Sequence, residues 1–244
     1  MKRVVIVQAR MTSTRLPGKI LAEVAGRPML AQQLRRLARA TAVDEVVVAT
    51  TSLASDDPVV GLARQEGVRF YRGDEHDVLS RYLGAAREAK AELIVRITAD
   101  CPLIDAGETD RVIVELTTRA GQADFAANVI RRTYPQGLDT ESFFRDALER
   151  SARLGTSAAA REHVTWFMTR ERPELFVLHS VTDAEDNSDL RWTVDTADDL
   201  AVVRKIYEGL GLGEEVRSYR DVLAWVRAHP EIARANAHVV QRHQ

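Results

Sequence analysis

"VVIVQARMTSTRLPGKIL", residues 4–21, joins a short apolar run to a loop that carries Arg10, Arg15 and Lys19 and is broken by Pro17-Gly18. Val4 to Val7 is β-branched and too short for a helix, which reads as a strand buried on both faces. The cations follow it at once, interleaved with Thr12, Ser13 and Thr14. A loop gripping a polyanion needs several Arg or Lys contacts together with hydroxyls and backbone amides. Composition alone fits a solvated basic turn equally well. The loop is not a Walker A motif: no glycine stands five residues before Gly18, and Ile20 rather than Ser or Thr follows Lys19. Nor is it a GxGxxG turn.

The rest of the first hundred residues repeats this alternation. Val46 to Ala49, Val68 to Tyr71 and Leu93 to Val95 read as further strands. Met29, Leu30, Leu34 and Leu37 share one helical face, with Gln33, Arg35, Arg36 and Arg39 largely opposite. A second helix is expected from Asp57 to Gly67, with Asp57 as N-cap and Pro58 in the first turn, and a third over 78–89. Strands alternating with helices imply a parallel sheet whose ligands lie beyond the strands' carboxyl ends. The loop after the first strand and "ITADCPLID" (97–105) are therefore placed for chemistry.

From about Ala123 the pattern changes to irregular or antiparallel strands, a helix over "REHVTWFMTRERP" (161–173) and a strand in "LFVLHSV" (175–181). "LRWTVDTADDLAVVRKIYEGLG" (190–211) returns to strand, turn and helix, capped by Thr196 or Asp195 and stopping near Gly209. The expected fold is a Rossmann-like α/β domain with a mostly parallel sheet, flanking helices and a small inserted subdomain. Its parts are a core over 1–122, an insertion over 123–190, completion of the core over 191–228 and a peripheral tail over 229–244.

With 34 Lys and Arg against 36 Asp and Glu, the net charge is -2, so a cationic site must be local, which argues against a dedicated nucleic-acid binder. The single cysteine, Cys101, rules out an internal disulfide and a Cys-rich zinc site, and no HxxxH or HExxH pair occurs. No apolar run is long enough to span a membrane, and the polar residues after MKRVVIV break any signal-peptide pattern. The expectation is a soluble cytoplasmic protein.

"QARMTSTRLPGKIL" (8–21) resembles the N-terminal signature of the cytidylyltransferases that make CMP-activated sugars, including the CMP-KDO synthetases. It is most similar to the branch typified by the spore-coat polysaccharide protein SpsF. "YRGDEHDVLSRY" (71–82), "VRITADCPLID" (95–105) and "RWTVDTADDL" (191–200) agree in order and approximate spacing, and "YPQGLDTESF" (134–143) and "REHVT" (161–165) match more weakly. The resemblance implies a nucleotide-diphospho-sugar transferase type of fold. It places the CTP triphosphate on Arg10, Ser13, Arg15 and Lys19, with Gln8 and Ala9 against the base and Arg81 near the nucleoside. Arg81 also reads as an exposed helix residue.

Asp100 directly follows a buried strand, a costly place for a carboxylate unless a cation or donors meet it. Asp195 sits in the same context in "WTVD". One carboxylate from each of two strand ends, completed by phosphate oxygens and water, suits Mg²⁺, and the resemblance assigns both positions to the metal. Asp195 can alternatively cap the helix that follows. Asp105, Asp198 and Asp199 read as caps or solvent-facing residues. Cys101 has no sequence-local base and reads as a small buried residue rather than a nucleophile. "GLGLG" (209–213) follows a helix and reads as its stop. Asp139 and Glu141 alternate at strand spacing on one face, toward an acceptor or toward water. Tyr134 and His163 are further acceptor-binding candidates, whereas Trp166 and Phe167 read as core or interface.

These readings converge on CTP plus a small-molecule acceptor giving CMP-acceptor and pyrophosphate. Arg10, Lys19, Asp100 and Asp195 would be catalytic, with no nucleic-acid or membrane partner. The resemblance implies a homodimer through the inserted region. A nucleotide-sugar-dependent glycosyltransferase would want a DxD-type pair where "ADCPLID" has one Asp before the proline. A non-catalytic nucleotide-binding regulator would tolerate the loss of one of the two carboxylates.

Overall fold

The structure, a computed structural model, describes residues 1–240. β1 (Arg3–Gln8) is an interior strand of a seven-stranded sheet, hydrogen-bonded in parallel to β4 (Glu45–Thr51) on one side and β6 (Leu93–Thr98) on the other. Its side chains alternate between two cores. Val5 and Val7 face the cluster containing Met29, Leu34, Val112 and Ile206, while Val4 and Ile6 face Leu79, Tyr82, Ala86 and Leu148. Each such fully buried aliphatic side chain stabilises by about 1.5–3 kcal/mol, which is why the unbroken apolar run selects a two-sided strand.

A two-stranded hairpin of β2 (Glu23–Val24) and β3 (Arg27–Pro28) follows the cationic loop and leads into α1 (Met29–Leu37). Next come α2 (Asp57–Gln65), β5 (Arg69–Gly73) and α3 (Val78–Glu88), with β5 parallel to β4. The helix α4 (Ala106–Thr117) leads into the 123–190 stretch, whose strands join the same sheet. β8 (Glu141–Phe144) runs antiparallel to β6, β7 (Phe125–Ala127) antiparallel to β8, and β9 (Leu178–Ser180) parallel to β7. The order β5-β4-β1-β6-β8-β7-β9 is a mostly parallel α/β sheet extended at one edge. No helix among the described residues is long and apolar enough to cross a membrane.

Several expectations are corrected. Asp57 begins α2 rather than capping it, and Asp56 precedes it. The helix expected over 161–173 is broken. After α5 (Arg145–Leu154), α6 (Ala158–Glu162) starts earlier because the Ser157 hydroxyl accepts from Ala160 N, and a separate π-helical turn covers Phe167–Glu171. "LRWTV" forms no ladder beyond a Gln136–Arg191 bridge. Its amides are satisfied by loops instead: Trp192 N donates to Gln136 O at 2.6 Å and Val194 N to Asp100 O at 2.8 Å. The following helix α7 (Ala197–Leu210) stops at Gly211, in the left-handed region with φ 62, not at Gly209. After α8 (Tyr219–Ala228) and α9 (Pro230–Arg234), the tail read as peripheral returns to the core, where buried Asn236 donates to Arg191 O and to Asp199. Residues 241–244 of that tail lie outside the described residues.

Candidate active site

The turns after β1, after β6 and before α7 converge at the carboxyl end of the parallel strands. The cationic loop closes on itself through Gly18 N, which donates to Met11 O at 3.1 Å, with Gly18 at φ 69, a conformation that glycine adopts without strain. Lys19 then opens a short 3₁₀ turn, Lys19–Leu21, that aims its side chain inward.

Its ammonium donates to Asp195 Oδ1 at 2.9 Å, to Asp100 Oδ2 at 3.3 Å and to Val194 O at 2.6 Å. The two carboxylates come from distant turns stapled together by Val194 N and the Thr193 hydroxyl, both donating to Asp100 O. Asp195 also meets Arg15 at 2.9 Å and Arg191 at 2.8 Å. Burial pushes the Asp195 carboxyl up, but Lys19, Arg15 and Arg191 outweigh it and hold it below the usual carboxylate value. Burial likewise works against the Lys19 charge, and Asp100 with Asp195 reverses this, raising the ammonium above its ordinary value. Asp195 caps nothing: Thr196 is the N-cap of α7, in a reciprocal box with Asp199. Asp105 caps α4, accepting from Glu108 N. Asp198 is exposed beside His238, whereas Asp199 is fully buried against Arg191 rather than solvent-facing.

A cleft of about 200 Å³ opens beside this pair, lined by Gln8, Arg10, Ser13, Arg15, Lys19 and Asp100 among others. Arg10 makes no ion pair or hydrogen bond among the described residues, leaving its guanidinium available to an anion. Ala9 is buried in the core beneath the sheet end and does not line the cleft, whereas the Gln8 amide oxygen is buried without a partner. Arg81 is not the exposed helix residue that the sequence allowed. It is buried, donates Nη1 to the carbonyls of Asp74 and Glu75, and keeps Nε and Nη2 buried and unpartnered. Burial lowers its pKa and the nearby Arg10 charge adds to the effect.

A second chamber of about 450 Å³ adjoins the first, lined by Asp139, Glu141, His163, Trp166 and Arg170 among others. Asp139 is held by a two-pronged pair with Arg132 at 2.7 and 2.8 Å, and Glu141 by Arg96 and the Thr165 hydroxyl. His163 lines both chambers, and burial lowers its pKa, which favours the neutral imidazole. Trp166 lines the chamber, while Phe167 is core. Tyr134 is brought to neither chamber. Its buried hydroxyl donates to Glu108 and accepts from Arg111, and its ring packs on Tyr219 at 5.5 Å, so it serves the core and not an acceptor. Cys101 is buried, and burial together with the Asp100 charge pushes its thiol well up, consistent with packing rather than nucleophilic use.

Two residues escaped the sequence reading. Arg96 lines the first cleft, the second chamber and a smaller pocket of about 60 Å³ that shares residues with both. The signal was a charge inside the otherwise apolar strand LIVRIT. Asp56, buried behind the cationic loop, was hidden by the reading of its neighbour as a cap. Among the described residues no group of three or more His, Cys, Asp or Glu side chains is arranged to hold a metal, so Asp100 and Asp195 form a two-carboxylate arrangement.

A cytidylyltransferase from Leptospira borgpetersenii superposes with a TM-score of 0.91 at 32% identity, covering 100% of both chains. The spore coat polysaccharide biosynthesis protein SpsF of Bacillus subtilis is 27% identical over 235 residues, 93% of this chain and 95% of its own. The 3-deoxy-manno-octulosonate cytidylyltransferase of Geobacter sulfurreducens is 40% identical over 113 residues, 46% of this chain and 44% of its own. Residues 4–207, which include the cationic loop and both carboxylates, match the cytidylyltransferase family, and the chain belongs to that family.

Proposed function

We propose that the chain transfers CMP from CTP to an acidic sugar, or to a compound bearing phosphate or phosphonate, and releases pyrophosphate. The observation that carries this reading is the Lys19 ammonium gripped by Asp100 and Asp195, between the cationic loop and the second chamber. The triphosphate would lie on Arg10, Ser13, Arg15 and Lys19. Gln8 and Arg81 would face the base, whose exocyclic amine and carbonyl complement the unpartnered Gln8 oxygen and Arg81 donors. Asp139, Glu141, His163 and Arg96 would receive the acceptor. The names of SpsF and of the octulosonate enzyme favour an acceptor drawn from polysaccharide building blocks.

Asp100 and Asp195 offer hard oxygen ligands already arranged around a positive charge, a donor set that fits Mg²⁺ completed by phosphate oxygens and water. When bound, Mg²⁺ would neutralise charge on the departing pyrophosphate. Lys19 and Arg15, released from the carboxylates, would turn to the phosphate oxygens as the acceptor oxygen attacks the α-phosphorus in line. For a sugar hydroxyl, neutral His163 would take the proton; a phosphate oxygen needs no base. The reading includes a cytoplasmic homodimer joined through 123–190, a stretch that exposes Ile130, Leu154 and Val177.

Pyrophosphate release tests the reading, with each nucleoside triphosphate run against 3-deoxy-manno-octulosonate, other acidic sugars and phosphonates. Release with CTP alone, abolished by EDTA, is expected. Equal rates with ATP or UTP would overturn the cytidine assignment.

A further inference from the structure

Asp56 immediately precedes α2 but makes no capping bond to it. Its buried carboxylate turns away from the helix. Oδ1 accepts from Met11 N at 2.7 Å, and Oδ2 accepts from Thr51 N at 3.2 Å and from the Thr51 hydroxyl at 2.5 Å. Asp56 thus ties the residue after Arg10 to the carboxyl end of β4. Burying a carboxylate is unfavourable unless its oxygens are well met, and here one of the three bonds goes to the loop.

That bond has a directional consequence. Ala9 N is held by Ala49 O at 3.1 Å and Met11 N by Asp56, so Arg10 is clamped on both sides while its own side chain lines the cleft unpaired. The Arg10 charge lowers the pKa of buried Arg81 and the Asp56 charge raises it.

We infer that Asp56 is a positioning residue for nucleotide binding, fixing the Met11 amide so that Arg10 stays aimed at the triphosphate. This rests on the reading of the cleft as a CTP site. A charged acceptor bonded to an amide contributes more than a neutral one, so Asp56→Asn should weaken CTP binding about tenfold or more. Thr51→Val removes a bond to the same carboxylate but none to the loop. It should lower the melting temperature and leave CTP affinity unchanged.

Calorimetric titration of CTP into the wild type and both variants, with thermal melts alongside, tests this. Asp56→Asn that stays folded and binds CTP like the wild type overturns the inference, as does an equal loss of affinity in Thr51→Val. Amide exchange in the wild type gives a second arm that needs no variant: Met11 N–H should be protected while Thr12 to Thr14 exchange quickly. Met11 exchanging as fast as those neighbours overturns the inference, even if Asp56→Asn does not fold. A wild type that fails to bind CTP sinks the nucleotide reading instead, and Met11 protection then decides whether Asp56 holds the loop.

Discussion

Asp100 and Asp195, far apart in the chain, hold the same ammonium: Lys19 Nζ lies 3.3 Å from one carboxylate and 2.9 Å from the other. Lys19 lies between the two carboxylates that we propose share a divalent cation. Lys19→Met keeps the bulk and removes the charge. It should bind Mn²⁺ more tightly than the wild type in the absence of CTP, read by the electron paramagnetic resonance of free Mn²⁺. Equal or weaker binding would show that lysine and metal do not compete.

Lys19→Ala should cost roughly 2–4 kcal/mol of transition-state stabilisation, about 30- to 1000-fold in rate, through the lost charge on phosphate. The pairing of Lys19 with two carboxylates adds a second effect, a lowered melting temperature. Near-normal turnover would return the loop to a solvated turn.

Asp100→Asn and Asp195→Asn should each nearly abolish turnover, and because the pair acts as a unit the double variant should be scarcely worse. Their stabilities should differ. Asp195 also holds Arg15 and Arg191, so its neutralisation should cost more stability than that of Asp100, although Arg191 keeps its pair with Asp199 and Lys19 its bond to Val194 O. Turnover against Mg²⁺ concentration, with melts as control, checks both halves. Wild-type metal dependence in either variant removes that residue from the site.

Burial pushes the Asp183 carboxyl up, but hydrogen bonds from Arg220, Tyr219 and Ala184 N hold it below its ordinary value. Because its folded pKa is the lower one, its contribution is complete above the unfolded value of about 3.9 and is lost as pH falls through the folded value. Asp183→Asn should therefore be less stable than the wild type at neutral pH and should narrow that gap on acidification. Denaturant melts across the acid range measure it; a constant gap would contradict the assignment.

Cys101, 2% exposed and with its thiol pKa pushed up, should resist iodoacetamide in the native protein and react once urea unfolds it. Mass spectrometry before and after unfolding reads this directly. Rapid native labelling would mean that the strand end opens.

The parallel sheet was legible because apolar β-branched runs and helical stripes are local patterns, and Val4 to Val7 needs no partner to declare two-sided burial. The cationic loop was legible because its charges are contiguous. What only the tertiary structure decided is pairing across the chain. Nothing near Lys19 shows that its ammonium reaches Asp195, since the staple is Val194 N on Asp100 O. Tyr134 in "YPQGLD" looks as available as Asp139, yet the Glu108 and Arg111 side chains of α4 claim its hydroxyl. Asp56 and Asp57 are indistinguishable as letters, and the distant Met11 amide separates them. A buried polar group must find its partner wherever the fold places one. Sequence therefore determined which segments carry charge to the strand ends, and the fold decided which of those charges meet.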